Sequence, residues 1–144
     1  MKKQYNLKCN IAETLNIVGD KWSLLILHEL LVGHSTFKDI QVGLDGIPTN
    51  LLSDRLKRLE NDGLIESRLY QSHPPRYEYI LTESGADLKH VLNAFMIWGY
   101  KHLNSPYKKL IHTECGEPVT MQYYCNHCKT TIDQSETSSC QTTV

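Results

Sequence analysis

Apolar residues recur at helical spacing through the first half of the chain. Ile11, Leu15 and Val18 define a short helix that Gly19 ends. Asp20 is placed to cap a second helix. In it Trp22, Leu25, Ile26 and Leu30 make one face and Leu24, Leu27 and Leu31 another, so burial from two sides is expected. Gly33 ends that helix, and Ser35 can cap a third carrying Phe37 and Ile40. After the turn-rich stretch Gly43-Leu44-Asp45-Gly46, a fourth helix starts at Pro48 and stops at Gly63. Leu52, Leu56 and Leu59 line its inner face. Asn50, Asp54, Lys57 and Asn61 point the other way, with Thr49 and Ser53 on the flank.

Beyond Gly63 the period changes to two. Ile65, Ser67 and Leu69 alternate with Glu66, Arg68 and Tyr70, and Tyr77, Tyr79 and Leu81 alternate with Glu78 and Ile80. The segment from Gln71 to Pro75 joins them, which predicts a β-hairpin with a proline-stiffened tip. Thr82 can cap a long closing helix with an apolar stripe of Leu88, Val91, Leu92, Phe95, Met96, Gly99 and Leu103, and Trp98 at its edge. Helices, a polar-faced helix, a two-stranded wing and a closing helix are the order of a winged helix-turn-helix: an α+β fold, mainly helical. Its polar-faced helix is the element that enters a DNA major groove.

The chain has 144 residues, close to one average domain. No apolar run approaches the roughly 18 residues a membrane span needs. The first ten residues hold three lysines and no apolar core of a secretory signal, so a cytoplasmic protein is expected. The formal charge of −1 is uneven: residues 1–112 carry +2 and residues 113–144 carry −3. The expected organisation is a DNA-binding and dimerisation domain over 1–104, a small module over 105–132 and a polar disordered tail over 133–144. No phosphate loop, nucleophile elbow or catalytic carboxylate pair is visible, so an enzyme is not expected.

Five cysteines in such a chain point to metal or redox chemistry rather than a disulfide framework. His112, Cys115, Cys125 and Cys128 have the spacing His-x2-Cys-x9-Cys-x2-Cys. Two close pairs joined by a loop suit one tetrahedral structural zinc, so a zinc-ribbon-like extension is expected. Free thiols or a Cys125–Cys128 redox disulfide are the alternatives.

Several separate motifs resemble one family. The run Ala12-Glu-Thr-Leu-Asn-Ile-Val-Gly-Asp-Lys-Trp-Ser-Leu-Leu-Ile-Leu27, the segment Gly46-Ile-Pro-Thr-Asn-Leu-Leu-Ser-Asp-Arg-Leu-Lys-Arg-Leu-Glu60 with Asp62-Gly-Leu-Ile65, and the wing Pro75-Arg-Tyr-Glu-Tyr-Ile-Leu-Thr-Glu-Ser-Gly85 are similar to HxlR-type winged helix-turn-helix regulators of the MarR-like superfamily. The resemblance spans roughly residues 9–103. It implies a bacterial transcription factor that binds a pseudo-palindromic operator in double-stranded DNA as a homodimer. Members often carry a cysteine just before the first helix, and in some that thiol senses oxidants or electrophiles. Cys9 holds that place, and the adjacent Lys8 and helix start are surroundings that make a thiol reactive. A lone cysteine is also commonly a small buried hydrophobe.

The candidate DNA contacts are Lys38, Thr49, Asn50, Ser53, Lys57, Arg58, Arg68, His73 and Arg76. Asn pairs bidentately with adenine, and Lys reaches guanine or phosphate. Charge alone does not select DNA, because residues 48–79 hold five basic and five acidic side chains. Asp54 can accept from cytosine or position Arg58, and Arg68 can meet phosphate or pair with Glu78. The closing helix carries more apolar surface than one small domain covers, which favours a second copy. The other functional class open at this point is an adaptor whose C-terminal module recruits a protein partner.

Overall fold

The computed structural model describes residues 4–105 and 107–140. In chain order the elements are α1 (Asn10–Val18), α2 (Ser23–Leu31), α3 (Phe37–Gly43), α4 (Thr49–Asn61), β1 (Ile65–Ser72), β2 (Pro75–Leu81), α5 (Glu83–Asp87), α6 (Lys89–His102), β3 (Tyr123–Cys125) and β4 (Thr130–Ile132). The chain divides into two compact units, one ending at Leu92 and one starting at Asn93. The boundary between these units falls within α6, which contributes no buried residue. Among the described residues no helix is long and apolar enough to cross a membrane.

The first unit is a winged helix-turn-helix. Its core joins Ile26 and Leu27 of α2, Ile40 of α3, the fully inward Leu52, Leu56 and Leu59 of α4, and Leu64 and Ile65 at the start of the wing. The i, i+4, i+7 spacing of the α4 leucines puts all three on one side, so the opposite side of α4 faces outward by necessity. β1 and β2 pair antiparallel from Ile65↔Leu81 to Ser72↔Pro75, with an irregularity between Leu69 and Gln71. Residues before α3 add a short third rung: Tyr79 N–H donates to the Ser35 carbonyl at 2.8 Å, and Thr36 bridges Glu78. That rung fixes the start of α3 against the wing.

Several local expectations are corrected. Ile11 and Leu15 of α1 and Leu25 of α2 are exposed, while Ala12 and Val18 turn inward. The cap of α3 is Thr36, whose hydroxyl accepts from Asp39 N–H, because Ser35 is held by the rung to β2. Pro48 precedes α4 in extended conformation rather than starting it. Thr82 caps the five-residue α5 by accepting from Gly85 N–H, and the chain turns at Leu88 before α6 begins. A Cβ at Gly85 would lie 2.0 Å from the Leu64 carbonyl oxygen, so α5 sits against the wing root only because residue 85 has no side chain.

The second unit holds the hairpin β3–β4 and an isolated bridge between Ile111 and Pro118. None of its described residues is buried. The segment after Ile132, expected to be disordered, contains a 3-10 turn at Gln134–Glu136. A reciprocal cap forms it: Asp133 accepts from Ser135, and Glu136 accepts from Asp133 N–H at 2.7 Å.

Candidate nucleic-acid interface

The outer face of α4 carries Thr49, Asn50 and Lys57 exposed, with Ser53 half-buried on the flank. Asn50 and Lys57 make no side-chain hydrogen bond or ion pair among the described residues, so their polar ends are available to a ligand. Thr49 is held from α3: Gln41 Nε2 donates to its hydroxyl oxygen at 2.9 Å. This bond spans the turn between the two helices and leaves the Thr49 hydroxyl proton to donate outward.

The acidic residue in this face is neutralised within α4. Asp54 Oδ2 accepts from Arg55 Nη1 at 2.5 Å and lies 4.0 Å from Arg58 Nη1. Arg55 also donates from Nε to Asp20 at 3.0 Å, and Asp20 in turn accepts from the Trp22 and Ser23 amides. Asp54 is therefore a positioning group for two arginines, and Arg58 is partly engaged by it.

The wing contributes a second set. Arg68 stands directly opposite Glu78 in the ladder, its Nη1 3.8 Å from Oε1. The cross-strand pairing open in the sequence is thus the one formed. Arg76 and His73 are exposed at the outer end of the hairpin, and the His73 carbonyl accepts from Gln71. Lys38 and Arg76 line one shallow groove between the start of α3 and the wing, with Tyr70 and Tyr77 in its wall. Ser53 and Lys57 line a neighbouring groove that shares Tyr77 and Tyr79. The fold thus brings Lys38, Ser53, Lys57 and Arg76 around one face of the wing.

Two contacts hold the wing against α4. Glu60 Oε1 accepts from the Ser67 amide at 2.9 Å and from its hydroxyl at 2.7 Å. The hydroxyl bond, then the amide bond, lower the Glu60 carboxyl below its ordinary value. Tyr79 is shifted up by its burial first and by the Glu60 charge second. Gln41, Arg55 and Tyr77 are parts of this surface that sequence reasoning missed.

Cys9 lies outside this face. It is exposed and occupies the N-cap position of α1, with its carbonyl accepting from Glu13 N–H at 3.0 Å. The metal candidates form two pairs. His112 Nδ1 is 3.3 Å from Cys115 Sγ, and Cys128 N–H donates to Cys125 Sγ at 3.3 Å. The Cys128 hydrogen bonds hold the Cys125 thiol below its usual value. Among the described residues no three such side chains converge on a single point.

The HxlR-like helix-turn-helix profile matches residues 17–107. The chain is 39% identical over 122 residues to the HTH-type transcriptional regulator Rv3095 of Mycobacterium tuberculosis, covering 83% of this chain and 77% of that one. The structure of PA1607, a candidate transcription factor, superposes with a TM-score of 0.79 at 27% identity over 95% of this chain and 97% of that one. The oxidised form of the redox regulator HypR gives a TM-score of 0.59 at 30% identity, over 67% of this chain and all (100%) of its own.

Proposed function

This chain belongs to the HxlR-like helix-turn-helix family, and from that membership we propose a homodimeric regulator that reads a pseudo-palindromic operator and loses or gains affinity when Cys9 is oxidised. At the coarser level it is an HTH-type transcriptional regulator that binds DNA, and it is not an enzyme.

The observation that carries the reading is the pairing of two outward sets. Among the described residues Asn50 and Lys57 have no side-chain partner on α4, and Lys38 and Arg76 line a groove at the wing beside it. A helix so placed delivers Asn50 to a base edge while the cations meet phosphate. Thr49 and Ser53 supply adaptable donors on the same helix. Arg58 and Arg68 are tied to Asp54 and Glu78 and take the lesser part in phosphate neutralisation. His73 extends from the wing tip toward the backbone.

The second copy is supported by α6. Phe95 and Trp98 are each 59% exposed, and Val91, Tyr100 and Leu103 are exposed with them. Burying apolar area of this kind is worth roughly 25 cal/mol per Å², and two-fold pairing is the commonest way a chain covers its own patch. The operator then has two-fold symmetry with half-sites about one helical turn apart or a multiple. The sensing role rests on the exposed N-cap placement of Cys9 and on likeness to a redox regulator.

Retention of the full chain on DNA-cellulose under a salt gradient tests the reading. The wild type is retained at low salt and elutes as salt rises, and Lys57→Ala with Arg76→Ala elutes earlier. Flow-through of the wild type at low salt overturns it.

A further inference from the structure

We propose that the C-terminal unit holds one structural zinc ion through His112, Cys115, Cys125 and Cys128. No residue is shared with the DNA-facing surface, so this inference stands apart from the regulatory reading.

The first ground is that two separate turns are built alike. In one, Gly116 N–H donates to the His112 carbonyl at 2.8 Å, and Gly116 has φ +75°. In the other, Lys129 N–H donates to the Cys125 carbonyl at 2.9 Å, and Lys129 has φ +56°. Each turn thus places two ligand-type side chains three residues apart. Each then closes on a left-handed residue whose amide reaches back to the first ligand residue. Lys129 is the only non-glycine residue with positive φ among the described residues. A lysine in that region is sterically disfavoured and persists where its surroundings impose it.

Both turns are hairpin tips. Around the first, His112 N–H donates to the Glu117 carbonyl and Val119 N–H to the Leu110 carbonyl, flanking the Ile111–Pro118 bridge. The second joins β3 to β4, with Cys125 opposite Thr130. Two hairpin tips presenting two ligands each are the parts of a four-coordinate ribbon site.

The distance within the first pair suits the ion. Zinc–nitrogen bonds of about 2.0–2.1 Å and zinc–sulfur bonds of about 2.3 Å at a tetrahedral angle set an N···S edge of about 3.5 Å. His112 Nδ1 and Cys115 Sγ stand 3.3 Å apart, so Nδ1 is the ligating nitrogen. The Cys128 amide on Cys125 Sγ is the kind of outer-shell hydrogen bond that orients a thiolate ligand.

Stability supplies an independent ground. No described residue after His102 is buried, and Met121, Tyr123 and Tyr124 are each more than half exposed. Two short hairpins without a core do not hold themselves together, and a metal is the usual substitute in a segment this small. Among the described residues no three of these side chains converge on one point, so the proposal requires the two pairs to close together on the ion. Binding exchanges three thiol protons for three zinc–sulfur bonds, with neutral His112 as the fourth ligand. Four protein ligands leave no open coordination position, so the role is structural.

The test is elemental analysis of the full chain purified without added metal, with native mass spectrometry of the same sample. Expected is about one zinc per chain, and an intact mass raised by one zinc less the displaced protons. Cys115→Ser and Cys125→Ser lose the metal, whereas Cys9→Ser, Cys140→Ser and His127→Ala keep it. Cobalt added to the metal-stripped wild type gives the visible bands of tetrahedral thiolate coordination. A wild type with less than about a tenth of a zinc per chain and no cobalt bands overturns the proposal. So does a Cys125–Cys128 disulfide in its place, or full zinc retention in both cysteine variants.

Discussion

Arg55 of α4 donates from Nε to Asp20 ahead of α2 at 3.0 Å, with the two side chains only 16% and 7% exposed. Asp20 also receives the Trp22 and Ser23 amides at the start of α2. One carboxylate thereby joins the beginning of the second helix to α4. Arg55→Ala removes the cation from a carboxylate that stays largely buried. A loss of about 1.5–3 kcal/mol is expected, the range for hydrogen bonds to charged groups. The midpoint of urea unfolding measures it. An unchanged midpoint would mean the pair does not hold α4.

Asn50 and Arg76 should separate in their effects on DNA. Asn50→Ala relaxes preference at one position per half-site and costs about 1–3 kcal/mol on the preferred sequence alone. Arg76→Ala weakens all sequences alike and reduces the slope of log K against log salt by about 1 per chain. Binding titrations on matched and single-mismatch duplexes at several salt concentrations distinguish the two patterns.

Periodicity made much of this fold legible and stopped where partners lie far apart in sequence. Leu52, Leu56 and Leu59 announce the inward face of α4 because their spacing follows the helix period, and the outward Asn50 and Lys57 follow from it. Alternation after Gly63 likewise announces the wing. Arg55 was not legible, because its partner Asp20 lies 35 residues away. Gln41 was hidden for a different reason: Thr49 is only eight residues on, but the turn between α3 and α4 that brings the two together is not recorded by helix periodicity. The apolar residues of α1 misled in part: Ile11 and Leu15 match the helical face but point to solvent in a single chain. Thr82 is legible as a cap, but the close approach of Gly85 to the Leu64 carbonyl is a tertiary contact that no local pattern records.

Acid should loosen the wing through Glu60. Its carboxyl is lowered by the Ser67 hydroxyl and amide, so its stabilisation is present above the ordinary glutamate value and is lost as pH falls through the lower folded value. Ser67→Ala removes the larger of those two bonds. The variant should be less stable than wild type at neutral pH, with the difference narrowing as pH drops below about 4. Unfolding midpoints across that range check the sign, and a difference that widens with acid would contradict it.

Oxidation should act through residue 9. Treatment with diamide forms a disulfide at the exposed Cys9, either with a small thiol or with the same residue of a second copy, while diamide takes up the two electrons and two protons. Operator affinity is then expected to change in wild type and to hold steady in Cys9→Ser. Equal responses in the two proteins would remove Cys9 from the mechanism, and Cys140→Ser serves as the thiol control.

In-vitro selection of bound duplexes from a random pool tests the central claim most directly. The account predicts enrichment of one consensus with two-fold related arms, centred about 10–10.5 base pairs apart or a multiple of that spacing. Asn50→Ala should lose preference at one symmetric pair of positions. A pool that fails to enrich, or a consensus with a single unpaired arm, would contradict it.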